Sequence, residues 1–244
     1  MSGTDESANA STSKRRVGVI WLTVFIDLVG FSIIFPIFPA MLEWYLPRAG
    51  ENSFLHALIG ALESVVPPGH RDFYVAVLFG GFLGSLYSFL QFISAPLWGR
   101  LSDRHGRRRI LLITTSGTAL AYLIWVVSGQ FWVLLVSRFL AGVMAGNIAV
   151  ATAAIADLTD RENRSRGMAL VGVAFGLGFI LGPVLGGLGS LVQLTGSYGE
   201  AAFALNPFSF PALLALLLSI ANVLWIWRVF PETLSEENRS DPAE

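Results

Sequence analysis

Long apolar runs alternate with short polar connections along this chain. No Asp, Glu, Lys or Arg occurs in 73–99, 110–137, 139–156, 167–199 or 201–227, and the one charge in 17–42 is Asp27. A helix needs about 20 apolar residues to cross the ~30 Å hydrocarbon core of a bilayer. Six spans are predicted, over 17–42, 73–98, 110–128, 131–156, 168–192 and 204–228. Inside lipid the backbone must bond to itself, so these runs read as helices. The strand-length alternation of a membrane barrel is absent. The fold class is an all-α integral membrane protein whose six-span bundle occupies 17–230.

The polar segments frame the bundle. Residues 1–16 open with MSGTDESANASTS, a composition that predicts a disordered lead, and 231–244 reads as a polar tail. The first apolar run is too long for the 7–15-residue core of a cleaved signal peptide. In the connection 43–72, Phe54, Leu55, Leu58, Ile59, Leu62 and Val66 recur at helical spacing. This segment is too short to span and is expected to lie as an amphipathic helix on the outer face.

Basic residues orient the bundle. Lys14, Arg15 and Arg16, then Arg100, Arg104, Arg107, Arg108 and Arg109, then Arg161, Arg164 and Arg166, and finally Arg228 and Arg239 all fall on one side, against Arg48 and Arg71 on the other. Lys and Arg in short loops stay cytoplasmic, so both termini are expected in the cytoplasm. Anionic lipid fits these membrane-edge arginines better than nucleic acid does. The sequons at Asn9, Asn163 and Asn238 then face away from the glycosylation machinery.

Five arginines crowd into GRLSDRHGRRR, residues 99–109. Topology explains their charge but leaves Asp103, Gly99 and Gly106 unexplained. The stretch resembles the loop signature of the major facilitator superfamily: Gly, any, Leu, small, Asp, Arg, any, Gly, Arg, Arg. DLVGFSIIFPIFP (27–39), SRFLAGVMAG (137–146) and GLGFILGPVLGG (176–187) are similar to its first-, fourth- and fifth-helix motifs in the drug:proton antiporter branch, and PETL (231–234) to the close of many sixth helices. Within the superfamily, 77–103 most resembles the tetracycline-transporter-like organic-anion carriers of animals. The resemblance covers 17–234.

The resemblance implies two three-helix inverted repeats forming half of a twelve-helix carrier, with substrate held between the halves. It implies a conformational latch built from Gly99, Asp103, Arg104, Gly106, Arg107 and Asp157, in which Arg107 pairs with Asp157 and Asp103 faces a helix N-terminus of the other half. On the residues alone, Gly99 and Gly106 are expected to turn the chain between antiparallel helices. Gly178, Gly182 and Gly186 form a smooth stripe that another backbone can approach closely, with Pro183 permitting a bend. The family packs this stripe against the opposite half, and none of the six spans is an obvious mate for it.

Asp27 and Arg138 are the charges inside the membrane. Such residues cost about 2.5–3.5 kcal/mol on insertion scales and usually face the bundle interior for a function. Asp27 can carry a coupling proton, with Arg138 as its partner in proton coupling and transport. Their depths, roughly 15 Å and 27 Å from the cytoplasmic end at 1.5 Å per residue, argue against direct contact. Alternatively, Arg138 anchors a kinked first helix near Pro36. Phe31, Tyr87, Gln91, Asn147 and Asn206 are candidates to line a substrate cavity.

Other chemistries lack their residues. The three histidines, His56, His70 and His105, fall in connections and cysteine is absent, so no enzyme site, metal site or cofactor is expected. No GxxxxGK[ST] loop supports ATP-driven pumping. The sequence reading is therefore a proton-coupled antiporter half for a small organic ion or drug-like solute, in the plasma membrane or, as the alternative, an intracellular one. It works with a lipid bilayer and with a second six-helix half, on the same or a separate chain. The alternative is a truncated or split half acting as a non-transporting partner.

Overall fold

The computed structural model describes residues 2–67, 71–159, 164–195, 198–199 and 201–234. Arg161, Asn163 and the tail beyond Leu234, with Asn238 and Arg239, lie outside them. The described residues form nine α-helices and six candidate membrane spans. The chain is a multi-pass helical membrane protein.

The first span is segmented. Helix α1 (Ser2–Ser32) gives way to a tight turn at Phe35–Ile37, and α2 (Phe38–Tyr45) completes the crossing. Pro36 supplies no amide hydrogen and fixes its own φ, so the α-helical ladder is interrupted there. At its other end α1 runs back to Ser2, where composition predicts a disordered lead. No proline interrupts 2–16, and extending an existing helix requires no new nucleus.

Helix α3 (Phe54–Ser64) is the amphipathic segment of the long connection. The Ser53 hydroxyl accepts from the His56 amide and caps it. Leu55 and Ile59 are buried in the same apolar cluster as Phe79 and Leu83, so α3 is packed onto the bundle.

Helix α4 (Arg71–His105) and helix α5 (Arg107–Val126) are joined by Gly106 alone. Its φ of +93° belongs to the region that favours glycine. Gly99, expected to share in this turn, lies inside α4 with open space around it. Residues 99–105 keep helical spacing and contain no breaker stronger than one glycine, so the second span extends about two turns beyond its apolar stretch.

The fourth span is also broken. Helix α6 (Phe131–Met144) ends, two residues intervene, and α7 (Asn147–Leu158) begins. The sequence predicts one continuous helix over 131–156. Gly146 and Asn147 are poor helix-interior residues, and the freed groups find partners on α4. Helices α8 (Arg164–Gly189) and α9 (Ser209–Val229) complete the bundle.

The glycine stripe of α8 has a mate within the chain, where the sequence offers no obvious one among the six spans. A Cβ on Gly178 would meet Leu28, one on Gly182 would meet Ser32 and Val29, and one on Gly186 would meet Ile33. Helix α1 therefore lies directly on the stripe, and Ser32 Oγ donates to the Gly178 carbonyl at 2.9 Å. The mate was hidden because Leu28, Ser32 and Ile33 read as ordinary apolar-span residues, with nothing to single out their face.

Candidate functional site

Two polar centres occupy the bundle: one at its arginine-rich end, the other at mid-depth.

At the arginine-rich end, Arg107 opens α5 and is buried. Its Nε donates to Asp157 Oδ2 at 3.0 Å, its Nη1 lies 2.5 Å from Asp103 Oδ1, and Nη1 also donates to Ser102 Oγ at 2.6 Å. Asp103 sits one helical turn before Arg107, across the Gly106 turn. Its partner in this chain is that guanidinium, where the resemblance implied a helix end of the other half. Arg104 is exposed, and no hydrogen bond or ion pair joins it to this centre among the described residues. Asp157 closes α7, fifty positions on, and Thr233 Oγ1 donates to the same carboxylate at 3.4 Å.

Glu232 completes this centre. Its Oε1 accepts the Arg107 amide at 2.8 Å, and the amides of Thr233 and Leu234 at 3.1 and 3.2 Å. A carboxylate at a helix N-terminus satisfies an orphan amide and meets the positive end of the helix dipole. Sequence reasoning noted PETL but gave Glu232 no role, since nothing in the pattern brings residue 232 beside residue 107. Arg108 also donates to the Trp227 carbonyl at the end of α9.

At mid-depth lies a cavity of about 440 Å³ between α1, α4, α7 and α8, its edge reaching the break in span four. Asp27 is its one charged lining residue; Phe31, Tyr87, Phe175 and Phe179 give aromatic walls, and Ser88 and Gln91 give polar points. Phe31 packs 4.4 Å from Tyr87 between ring centroids, and Phe175 stacks on Phe179 at 6.2 Å. Of the residues expected to line a cavity, the structure thus brings Phe31, Tyr87 and Gln91 together, with Asp27 beside them. Asn147 is buried beside them, and its Nδ2 donates to Asp27 Oδ1 at 2.8 Å. Phe179 was missed, although it lies one turn from Phe175 and shares its face.

Asn206 does not belong to this cavity. It is buried in the connection before α9, where its Nδ2 donates to the Ser128 carbonyl at 2.8 Å and its Oδ1 accepts the Phe208 amide at 2.8 Å. Tyr45 donates to the same Ser128 carbonyl at 2.6 Å. Asn206 thus ties the connections at the bundle end opposite the arginines. A polar residue just before an apolar run is ambiguous between cap and cavity, and sequence alone does not decide.

Arg138 is buried in an aromatic pocket. Its guanidinium lies 4.6 Å from the Trp125 ring centroid and 5.8 Å from that of Tyr122, and Nη2 donates to Ser137 Oγ at 3.1 Å. Cation–π contact is strongest when desolvated, at about 2 kcal/mol or more. Among the described residues Arg138 makes no ion pair with Asp27 and no hydrogen bond to the first span. This agrees with their depths and removes the anchoring alternative near Pro36.

The fold and its two polar centres define a six-span helical membrane bundle with an arginine-rich turn at one end and a polar cavity at mid-depth. Residues 20–243 match the family described as Major Facilitator Superfamily, and the chain belongs to it. It is 38% identical over 229 residues to major facilitator superfamily domain-containing protein 10 of Bos taurus, covering 93% of this chain and 46% of that protein. It is 33% identical over 223 residues to the class H tetracycline resistance protein of Pasteurella multocida, covering 91% and 46%. The crystal structure of the human organic anion transporter MFSD10 superposes with a TM-score of 0.80 at 36% identity, over 93% of this chain and 50% of that one. A peptide transporter POT solved with sulfate shares the fold, with a TM-score of 0.65 at 16% identity. The chain spans about half the length of these relatives.

Proposed function

We propose that this chain is the substrate-binding half of a proton-coupled secondary transporter for small organic ions. The observation that carries the reading is Asp27: a lone carboxylate on the wall of an aromatic mid-depth cavity, with a buried amide beside it. An intramembrane carboxylate is retained where it moves charge or holds a ligand. The aromatic walls fit a flat, lipophilic solute. The related structure is titled an organic anion transporter, and tetracycline resistance proteins are among the relatives. Antiport is the mode favoured by resemblance to drug:proton antiporters.

Asp27 carries the coupling proton in this reading. Arg138 holds positive charge near the cavity without neutralising Asp27. Gly99 supplies no turn, so the latch consists of Asp103, Gly106, Arg107, Asp157 and Glu232. Gly178, Gly182, Pro183 and Gly186 seat α8 on α1. Alternating access requires a second bundle to rock against, so a second six-span unit is part of the proposal. The arginine-rich end faces the cytoplasm, with both termini, in the plasma membrane.

The test is Asp27→Asn in proteoliposomes holding the complete carrier. Solute flux driven by a pH gradient is expected to be lost while membrane insertion stays intact. Unchanged gradient-driven flux overturns the coupling role.

A further inference from the structure

The two ends exposed by the break in span four are treated differently. The carbonyl end of α6 is covered by three side chains of α4. Gln91 Nε2 donates to the Ala145 carbonyl at 3.2 Å, Ser94 Oγ to that of Gly142 at 3.2 Å, and Trp98 Nε1 to that of Val143 at 2.7 Å. At the amide end of α7, Ala145, Ile148 and Ala149 line the cavity. The first amides of a helix have no intrahelical acceptor, and the helix dipole makes this end positive. Asn147, in the same turn, is 3% exposed, and its Oδ1 is buried with no hydrogen-bond partner among the described residues. Its Nδ2 holds the Asp27 carboxylate at the mouth of this turn.

We propose that the first turn of α7, with Asn147, is an anion subsite which ionised Asp27 and the acidic group of an organic-anion solute occupy in alternation. Two ionised carboxylates held in one partly buried cavity repel each other. A proton on Asp27 removes the repulsion, so the anion binds together with one proton. Asn147 serves both states. Its Nδ2 donates to the ionised carboxylate; after rotation its Oδ1 accepts the carboxyl proton and its Nδ2 turns to the solute. The unpartnered Oδ1 acquires its partner in that second state.

The surroundings fit this exchange. Tyr87 of α4 shares the cavity wall with Asp27, and the Tyr122 hydroxyl of α5 lies beside Gly30 of α1. Arg138 of α6 lies 5.8 Å from the Tyr122 ring centroid and, among the described residues, makes no ion pair with Asp27. Helices α7 and α8 bring no titratable side chain to the cavity. The inference rests on the proposed transport site. For acidic solutes it sets the sign of coupling: the proton accompanies the anion, whereas a cation exchanges for it.

The test uses the purified chain in lipid nanodiscs, with 1-pyrenebutyrate as an aromatic carboxylate and 1-pyrenemethylamine as its cationic counterpart. Binding is followed by fluorescence, and proton uptake by an indicator dye in weak buffer. Pyrenebutyrate is expected to bind with uptake of about one proton, and its affinity to fall about tenfold per pH unit above the titration of Asp27. Asp27→Asn is expected to bind it with no proton uptake and a flat pH profile. Asn147→Leu is expected to bind it about tenfold more weakly, having lost a bond to a charged group. If Asn147→Leu does not elute as monodisperse protein, Asp27→Asn alone decides. Pyrenebutyrate binding without proton uptake, or a pH dependence that survives in Asp27→Asn, overturns the subsite. Binding of the amine alone, with proton release, overturns the subsite but leaves the transport site standing. Binding of neither probe overturns both.

Discussion

Arg107 and Asp157, fifty positions apart, meet at 3.0 Å where α5 begins and α7 ends. The arginine is almost wholly buried and also faces Asp103 and Ser102. Removing one partner of a buried pair leaves an uncompensated charge, at about 3–5 kcal/mol. Asp157 is partly exposed, so Asp157→Asn is expected to cost less than Arg107→Gln, which strands two carboxylates. Thermal unfolding of both variants and their double mutant checks this. Equal losses in the two single variants would contradict it.

The two glycines of the arginine-rich turn are not equivalent. Gly106→Ala places an L side chain at φ +93° and drives its Cβ against the Glu232 carboxylate. A left-handed conformation costs a non-glycine residue about 1–2 kcal/mol before any clash. Gly99→Ala meets open space and gains helix propensity. The expected outcome is a lowered melting temperature for the first variant and an unchanged or raised one for the second.

On α8, Gly182→Ala is expected to push α1 away, because its Cβ would fall on Ser32 Oγ and the Val29 carbonyl. Overpacking of this kind costs typically about 1–3 kcal/mol. Gly176→Ala, six positions earlier on the same helix, has nothing within reach and is expected to be neutral. Yield of monodisperse protein in mild detergent distinguishes them.

Absence of cysteine makes topology directly measurable. Single-cysteine variants at the exposed positions Arg104 and Arg48 are expected to react with a membrane-impermeant maleimide from opposite sides, Arg104→Cys from the cytoplasm and Arg48→Cys from outside. Labelling of both from one side would overturn the orientation.

The spans were legible because the bilayer demands a run of apolar residues, and the chain supplies six of them, interrupted by charge only at Asp27 and Arg138. Asp27 and Arg138 stood out for the same reason. Their separation was also readable, since depth follows from residue count and rise. What the pattern hid was three-dimensional. The break at Ala145–Gly146 falls within an unbroken apolar run, and its cost is met by Gln91, Ser94 and Trp98 on another helix, which no local window reveals. Glu232 acts 125 positions from the amide it caps. Asn206 and Asn147 look alike in sequence, each an amide in an apolar span, yet one ties the buried connections at the bundle end and the other holds an intramembrane carboxylate.

A joint of one residue has no slack. Gly106 is all the chain between α4 and α5, Glu232 grips the amide just after it, and Arg107 reaches back to α4 and across to α7. Any tilt of α4 is therefore delivered to α5 and α9 together, as in a crank without backlash, while the broken first and fourth spans each keep a bend beside the cavity. Rigid transmission at one end and compliant elements at the middle are what a machine needs if a small event at a buried carboxylate is to be felt some 15 Å away at the membrane edge.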